Sequence, residues 1–499
     1  MGIKAALSKP FAHIVARSIH KWSSKPIETQ EKVFWDLVNT AKQTLFGKDH
    51  QFDKINSYED FKKQVPIRDY EGHKPYIEKI IAGEKNVLWK DVPLYFCKTS
   101  GTTSGAKYIP ITKESIPHHI NGARNAILMY IHRTGKTDFI NGKMIFLSGS
   151  PELSKVGNIH LGRLSGIVNH HVPQYLRKNQ MPSYKTNCIE DWETKVDAIA
   201  GETIKEDMAL ISGIPSWVQM YFDKALQKAG KKTIKEIFPN FSLFIYGGVQ
   251  FEPYRAKFEK TIGDKIDSIE LYPASEGFIA YQDVEREKGL LLLLNSGMFY
   301  EFIPSNEYFN SNPTRISLKD VELGVNYAII LNTNAGLWSY SIGDTIKFVS
   351  KNPYRIEVTG RISHYTSAFG EHIIAEEVES AMVEVANKNN IEVTEFTLAP
   401  QVNPKQGLPY HEWFIEFSQE YPNIESFRND LDAAMQKKNI YYRDLIKGNV
   451  LQSLIIRKIK KNGFIEFMKS QGKLGGQNKI PRLSNDRKIA DELMKYIKD

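Results

Sequence analysis

The sequence predicts an α/β protein, with a large N-terminal domain of mixed sheets and helices and a small α+β domain after it. Three observations lead there. From about residue 90 onward, short apolar runs bounded by turn residues alternate with helical stretches, which indicates sheet-and-helix layers rather than a β sandwich. The 499 residues, 41% hydrophobic and 25% charged, suffice for two or three domains and a sizeable core. At Gly360–Arg361 the pattern breaks into a polar loop and a new helix, so the expected domains are 1–361 and 362–499.

The first ninety or so residues read mainly as helix. In "MGIKAALSKPFAHIVARSIHKW", Phe11, Ile14, Val15 and Ile19 recur at helical spacing, predicting an amphipathic helix packed on the body rather than on a membrane. Ala6 breaks the myristoylation pattern that Gly2 would begin, and no run suits a secretory signal or a bilayer span. Strand candidates follow. "LYFCKTS" and "KYIPIT" flank a loop, and "KMIFLSGS" comes after the helical "NGARNAILMYIHR". Next come "LFIYGGVQ", "DSIELYPASEG", "LLLLLNS", "MFYEFIPS", "YAIILNT" and "TIKFVS". Past 361, Ile374, Val378, Met382 and Val385 form one helical stripe. Strands near "VTEFTLAPQV" and "HEWFIEFS", the helix "IESFRNDLDAAMQKKN" and the strand "SLIIRKI" complete an α-β-β-α-β order.

Cys97 and Cys188 match no metal or redox spacing, exclude a disulfide framework and fit a reducing, cytoplasmic setting. The net charge of +8 is concentrated, since residues 457–498 hold twelve Lys or Arg against four Asp or Glu. Such a tail suits a solvated face, a nucleic-acid patch or a funnel for a small anion. Without a stacking series of aromatics or a helix-turn-helix, nucleic acid is not expected as a partner. The adjacent pairs His118–His119 and His170–His171 lack zinc-site spacing, and no Gly-x-Ser-x-Gly occurs.

The chemically pointed stretch is "KTSGTTSGAKYIPIT". It is not a Walker loop, because Ala106 stands where the second glycine belongs and a strand follows. Ser100, Thr102, Thr103 and Ser104 supply hydroxyls, Gly101 and Gly105 admit close backbone approach to an anion, and Lys107 adds charge. Alone, it reads as a flexible hairpin turn or as a phosphate-gripping loop. "YGGVQ" suits close approach to a flat base at Gly248, with Val249 at the pocket wall. In "YPASEG", Glu276 is the one acid beside an aromatic and small residues, and one carboxylate plus phosphate oxygens is a common way to hold Mg2+. Tyr272 and Ser275 set an aromatic ring and a hydroxyl beside that acid. "YSIGD" ends at Asp344, whose ionised carboxylate suits a ribose diol. Each of these segments also reads as an ordinary turn.

Together they resemble a known family. The opening loop resembles the "TSGTTGxPK" signature of the adenylate-forming superfamily, in which a hydroxyl-rich hairpin grips the phosphates of ATP. "YPASEG", "TNAGLWSYSIGD" and "MFYEFIP" resemble the YASSE, TxAGLYRYRxGD and AYFEFLP-like segments of the auxin-responsive-promoter family of acyl-acid amido synthetases. "ISGIPSW" also looks like that branch, and "GGQNKIPR" like its lysine segment. The resemblance runs from about residue 90 to the end. It implies an ATP- and Mg2+-dependent ligase that converts a carboxylic acid to an acyl adenylate and transfers the acyl group to an amine such as an amino acid. Glu276 would hold the metal, Tyr272 stack on adenine, Ser275 bond the α-phosphate or acyl adenylate, Asp344 hold the ribose, Arg361 bond the ribose or fix the hinge, and Lys479 swing onto the carboxylate and α-phosphate from a mobile C-terminal domain. Pro273 and Ala274 replace the family's Ala and Ser, and Trp338 and Ser341 its Tyr and Arg, so contacts carried by that serine and arginine are absent. Arg124 and Trp217 suit contact with the acid but read at least as well as surface and core residues, so neither is assigned to the site. Two alternatives stay open: transfer to a thiol, as in acyl-CoA or acyl-protein synthetases, and a non-catalytic nucleotide-binding protein.

Overall fold

The computed structural model describes residues 3–99, 107–172, 177–248, 251–284, 288–362, 365–366, 373–420, 423–447, 450–475, 479–484 and 486–498. The chain forms two compact units, one of residues 1–249 and 261–358, the other of 250–260 and 359–499.

The first unit opens with helices Ile3–Ser23, Pro26–Ala41, Tyr58–Gln64 and Tyr70–Ile81, the last two capped by the side chains of Ser57 and Asp69. The helix Ile3–Ser23 departs from expectation. Val15 and Ile19 do pack inward, with Ala12 and Ala16, but Phe11 and Ile14 point to solvent. The small alanines line the core side and let the helix lie close, while Phe11 and Ile14 occupy the other side.

A twelve-stranded sheet forms the backbone of this unit. Strands Lys143–Phe146, Met208–Ser212, Leu243–Gly247 and Asp267–Pro273 run parallel. Helices Trp192–Thr203 and Pro215–Ala229 make the first two crossovers that parallel strands require. From Phe278–Tyr281 onward the pairing turns antiparallel, through Met298–Pro304, Asn326–Thr333 and Tyr340–Lys351. A separate four-stranded sheet holds the hairpin Tyr95–Thr99 and Lys107–Ile111. Its other strands, Ser154–Val156 and Ile159–Gly162, were not expected, because "SKVGNIHLG" carries only three apolar residues to mark them.

The second unit contains the expected order: helix Ala375–Lys388, strands Val393–Gln401 and Tyr410–Phe417, helix Ile424–Lys438 and strand Ile455–Ile459. Val378, Met382 and Val385 are buried in its core with Trp413 and Leu431. The basic tail is extensively paired. Arg457 and Arg487 both meet Glu412, Lys460 meets Glu466, and Lys498 meets Glu420. Much of its charge is therefore neutralised locally.

Two buried histidines of the first unit make stability pH-dependent. His73 accepts from the Trp338 amide at 3.2 Å through Nε2 and lies 3.1 Å from the Asp69 carbonyl through Nδ1, which fixes the proton on Nδ1. His119 is buried, and its Nδ1 meets no hydrogen-bond partner among the described residues. Burial lowers both pKa values to about 4, from 6.5. The unfolded chain therefore takes up protons first. The stability these neutral rings contribute is complete above about pH 6.5 and is lost as the pH falls towards 4. The loss amounts to roughly 3 kcal/mol per histidine by the lower limit. Urea unfolding between about pH 7.5 and pH 5 checks this, and a His119→Phe variant should show a shallower slope.

Candidate active site

The hairpin pairs Lys98 with Tyr108 and Thr99 with Lys107, so residues 100–106 connect its two strands at the tip. Ser100, Gly101, Thr102, Thr103 and Ser104 lie outside the described residues. Lys107, at the hairpin base, is half-buried with its ammonium 5.7 Å from the centre of the Tyr70 ring. The Tyr70 hydroxyl also accepts from the Tyr108 amide at 3.0 Å, bracing the second strand.

Three of the sequence segments meet beside this hairpin. Cys97, three residues before Ser100, donates its thiol to Ser275 Oγ at 3.2 Å. Ser275 and Glu276 form the tip of a tight turn closed by Ala274–Gly277 backbone bonds of 3.0 and 3.2 Å. Glu276 is half-buried there and close enough to raise the Cys97 pKa. Burial is the larger cause, and together they push the thiol up to about 12, so Cys97 stays protonated at neutral pH. A Cβ at Gly277 would lie 2.2 Å from Met298 Sδ, so a larger residue there would have to push that side chain aside. Behind the turn, Tyr272 donates its hydroxyl to Asp344 Oδ2 at 2.7 Å. The Tyr272 ring is buried to 8% exposure in the core with Ile279 and Leu292.

The segment leading to Asp344 is anchored from several sides. Thr112, just past the hairpin, donates to the Asn334 carbonyl at 2.8 Å. Gly336 has φ +89°, and a Cβ there would sit 2.8 Å from the Leu88 carbonyl oxygen. Only glycine fits that turn without displacing backbone. Trp338 is fully buried and donates its indole N–H to Leu88 O at 3.1 Å, so the departure from the family's tyrosine serves the core. Ser341 accepts from the Tyr308 hydroxyl at 2.7 Å.

Gly248, exposed at φ +82°, follows the strand Leu243–Gly247, whereas Val249 lies outside the described residues. Arg361 and Lys479 belong to the second unit and are exposed. Trp217 is core, its ring 4.8 Å from that of Trp192, and Arg124 is exposed beside Phe11. Neither shows itself as an acid contact. Among the described residues no group of three His, Cys, Asp or Glu could hold a metal. The half-buried carboxylate of Glu276 fits Mg2+ held mainly by nucleotide oxygens and water, the mode that needs no protein cage.

Sequence reasoning missed two basic residues near this site. Arg163 acts electrostatically on Cys97, and its Cδ would lie 2.7 Å from a Cβ at Gly149. No carboxylate among the described residues pairs with it. Lys195 is buried to 1% exposure and donates to the carbonyls of Ser148 at 2.9 Å and Asn187 at 2.6 Å. Burial lowers its pKa to about 8. Nothing in their local sequence marks either one: Arg163 is brought here by the pairing of Ile159–Gly162 with Tyr95–Thr99, and Lys195 by the helix Trp192–Thr203.

Comparison with known proteins fits this geometry. The model of the GH3 family N-terminal domain matches residues 15–186 and 155–266, that of the central domain 291–361, and that of the C-terminal domain 376–488. The chain belongs to the GH3 family. Curated GH3-type relatives are distant but long. The jasmonoyl-L-amino acid synthetase JAR4 of Nicotiana attenuata is 22% identical over 91% of this chain and 90% of its own length. The indole-3-acetic acid-amido synthetase GH3.3 of Arabidopsis thaliana is 20% identical over 97% and 94%. The solved structure of AtGH3.15 acyl acid amido synthetase in complex with 2,4-DB superposes with a TM-score of 0.81 at 15% identity, covering 98% of this chain and 96% of that one. A 2-hydroxyisobutyryl-CoA ligase in the postadenylation state gives 0.61 at 12% identity, over 95% and 92%. At these identities the solved structures speak to the fold, which this GH3 chain shares with adenylate-forming enzymes.

Proposed function

We propose that this chain is an AMP-forming acyl-acid amido synthetase, acting in the cytoplasm on ATP, a carboxylic acid and an amino acid. The observation that carries the reading is the meeting of three remote segments, through Cys97–Ser275 and Tyr272–Asp344, beside the hydroxyl-rich hairpin. Those links bring residues far apart in sequence into one polar locality, as a triphosphate site needs.

In the first half-reaction a carboxylate oxygen attacks the α-phosphorus of ATP, and the bond to pyrophosphate breaks. In the second, the amine nitrogen attacks the acyl carbon, the carbon–oxygen bond to AMP breaks, and the nitrogen loses a proton. The chain's own groups bind and orient. Ser100, Thr102, Thr103 and Ser104 with the amides at Gly101 contact phosphate oxygens, and Lys107 supplies positive potential. Glu276 holds Mg2+, which when bound offsets phosphate charge. Asp344, oriented by Tyr272, accepts from the ribose hydroxyls, while Gly248 and Val249 line the base. Tyr272, buried as it is, works through its hydroxyl rather than by stacking. Ser275 faces the α-phosphate, held by the Cys97 thiol. Arg361 bonds the ribose. Arg163 is the cation available to a carboxylate on the hairpin's other side.

Acid-dependent exchange of pyrophosphate into ATP, screened over aryl, indolyl and aliphatic acids, tests adenylation. Repeating positive cases with amino acids and with coenzyme A tests the acceptor. Amide and AMP formation supports the reading. Thioester alone would move the chain to the thiol branch, and no exchange with any acid would leave a nucleotide-binding protein.

A further inference from the structure

Among the described residues, the outer side of the N-terminal helix packs into none of the hydrophobic core clusters. Leu7, Phe11 and Ile14 stand 66%, 44% and 63% exposed, at the four- and three-residue spacing that aligns them on one stripe. The opposite side of the same helix is fully used, with Ala12, Val15, Ala16 and Ile19 in the core beside Ala126 and Met129. The exposed stripe is therefore not a core face left open by error of register. It is a second apolar face on a helix that already has one.

Its surroundings are basic. On the helix Ile3–Ser23, which has no Asp or Glu, Arg17 and Lys21 follow Ile14 at three- and seven-residue spacing on the side of the stripe, whereas Lys9 falls on the opposite side. Arg124 of the neighbouring helix Ile116–Thr134 adds its guanidinium 5.7 Å from the Phe11 ring. The nearest acid in sequence, Glu28, is already paired with Lys25 at 3.0 Å. Lysine and arginine stems also place apolar methylenes beside the stripe while their charges reach outward.

We propose that this face docks on an anionic phospholipid surface. Apolar side chains flanked by cations, without acids, are what an interfacial helix needs: the stripe enters the boundary of headgroups and acyl chains, and the cations meet lipid phosphates and carboxylates. A second copy of the chain is the less favourable occupant. A two-fold contact through this stripe would set each helix's lysines and arginine against those of its twin, with no acid on the helix to relieve them. The helix is too polar to cross a bilayer, and among the described residues none is long and apolar enough to do so. The mode is peripheral and reversible, and it is independent of the reaction the chain performs.

The test is co-sedimentation of the full chain with phosphatidylcholine vesicles containing about 30% phosphatidylserine, against vesicles of phosphatidylcholine alone, at low and high salt. Binding is expected to the anionic vesicles only, and to fall as salt rises. The triple variant Leu7→Ser, Phe11→Ser, Ile14→Ser should bind at least about tenfold more weakly. The charge variant Arg17→Glu, Lys21→Glu should also detach while keeping the stripe. Both retain parental thermal unfolding, since every altered residue is exposed. Absence of vesicle binding, binding indifferent to lipid charge, or a triple variant that binds like the parent overturns the proposal. A concentration-dependent dimer abolished by the triple variant, without vesicle binding, overturns it in favour of a second copy.

Discussion

Replacing Lys479 with alanine lowers acid-dependent pyrophosphate exchange by about 100- to 1,000-fold, or about 3–4 kcal/mol of transition-state stabilisation. Release of amide from supplied acyl adenylate and amino acid changes by less than about tenfold. The asymmetry follows from chemistry. Negative charge builds at the α-phosphorus as the carboxylate approaches, and that build-up belongs to the first half-reaction alone. The surroundings of Lys479 suit delivery of a charge to a fixed place. Lys479 is exposed, but the chain immediately after it is anchored. Thr397 donates to the Pro481 carbonyl at 2.6 Å, the Leu398 amide to the Arg482 carbonyl at 3.0 Å, and the Ser484 amide to the Leu398 carbonyl at 3.0 Å. Arg482 is buried among Glu379, Glu395 and the Phe396 carbonyl. The lysine thus leaves its unit from a braced edge. An alanine variant that exchanges pyrophosphate at the parental rate removes Lys479 from the reaction.

How much of this was legible in the sequence depends on the reach of the forces involved. Strands such as Leu243–Gly247 and Asn326–Thr333 announce themselves as apolar runs because both faces are buried. The segments around Glu276 and Asp344 were found by motif, yet the bond between Tyr272 and Asp344 was not, since the two lie 72 residues apart and no local pattern records a pairing. The motif marks Tyr272 as a ring to stack, whereas the structure buries the residue and gives its hydroxyl to Asp344. Phe11 and Ile14 mislead for a related reason. Hydrophobic spacing finds a stripe, but it cannot say which of two stripes faces the core when the inner one is largely alanine. Arg163 reaches its place only through sheet pairing of a polar segment.

Glu301→Ala destabilises the first unit by about 3–5 kcal/mol, a large fraction of the stability of an ordinary domain. Glu301 is completely buried and is the acceptor at the centre of a polar cluster. The Tyr58 hydroxyl donates to it at 3.0 Å, Asn332 at 2.7 Å and Arg315 Nη2 at 3.0 Å, with Arg315 Nε on its other oxygen. Desolvation first, and the Glu301 charge second, hold the Tyr58 phenol protonated far above its ordinary range. Removing the carboxylate leaves the Arg315 guanidinium, whose side chain is 9% exposed, with the Val65 and Lys62 carbonyls and the Ser339 hydroxyl but no countercharge. An unpaired buried cation costs more than a missing pair, so the double change Glu301→Leu, Arg315→Met should recover most of the loss. The cluster also reaches the site: Asn332 Oδ1 accepts from the Ser339 amide at 2.7 Å, clamping the ends of the turn that precedes Asp344. Pyrophosphate exchange by the single variant should therefore fall at temperatures well below its unfolding midpoint. Urea unfolding of the single and double variants decides the matter, and a single variant within about 1 kcal/mol of the parent shows that Glu301 does not hold the unit together.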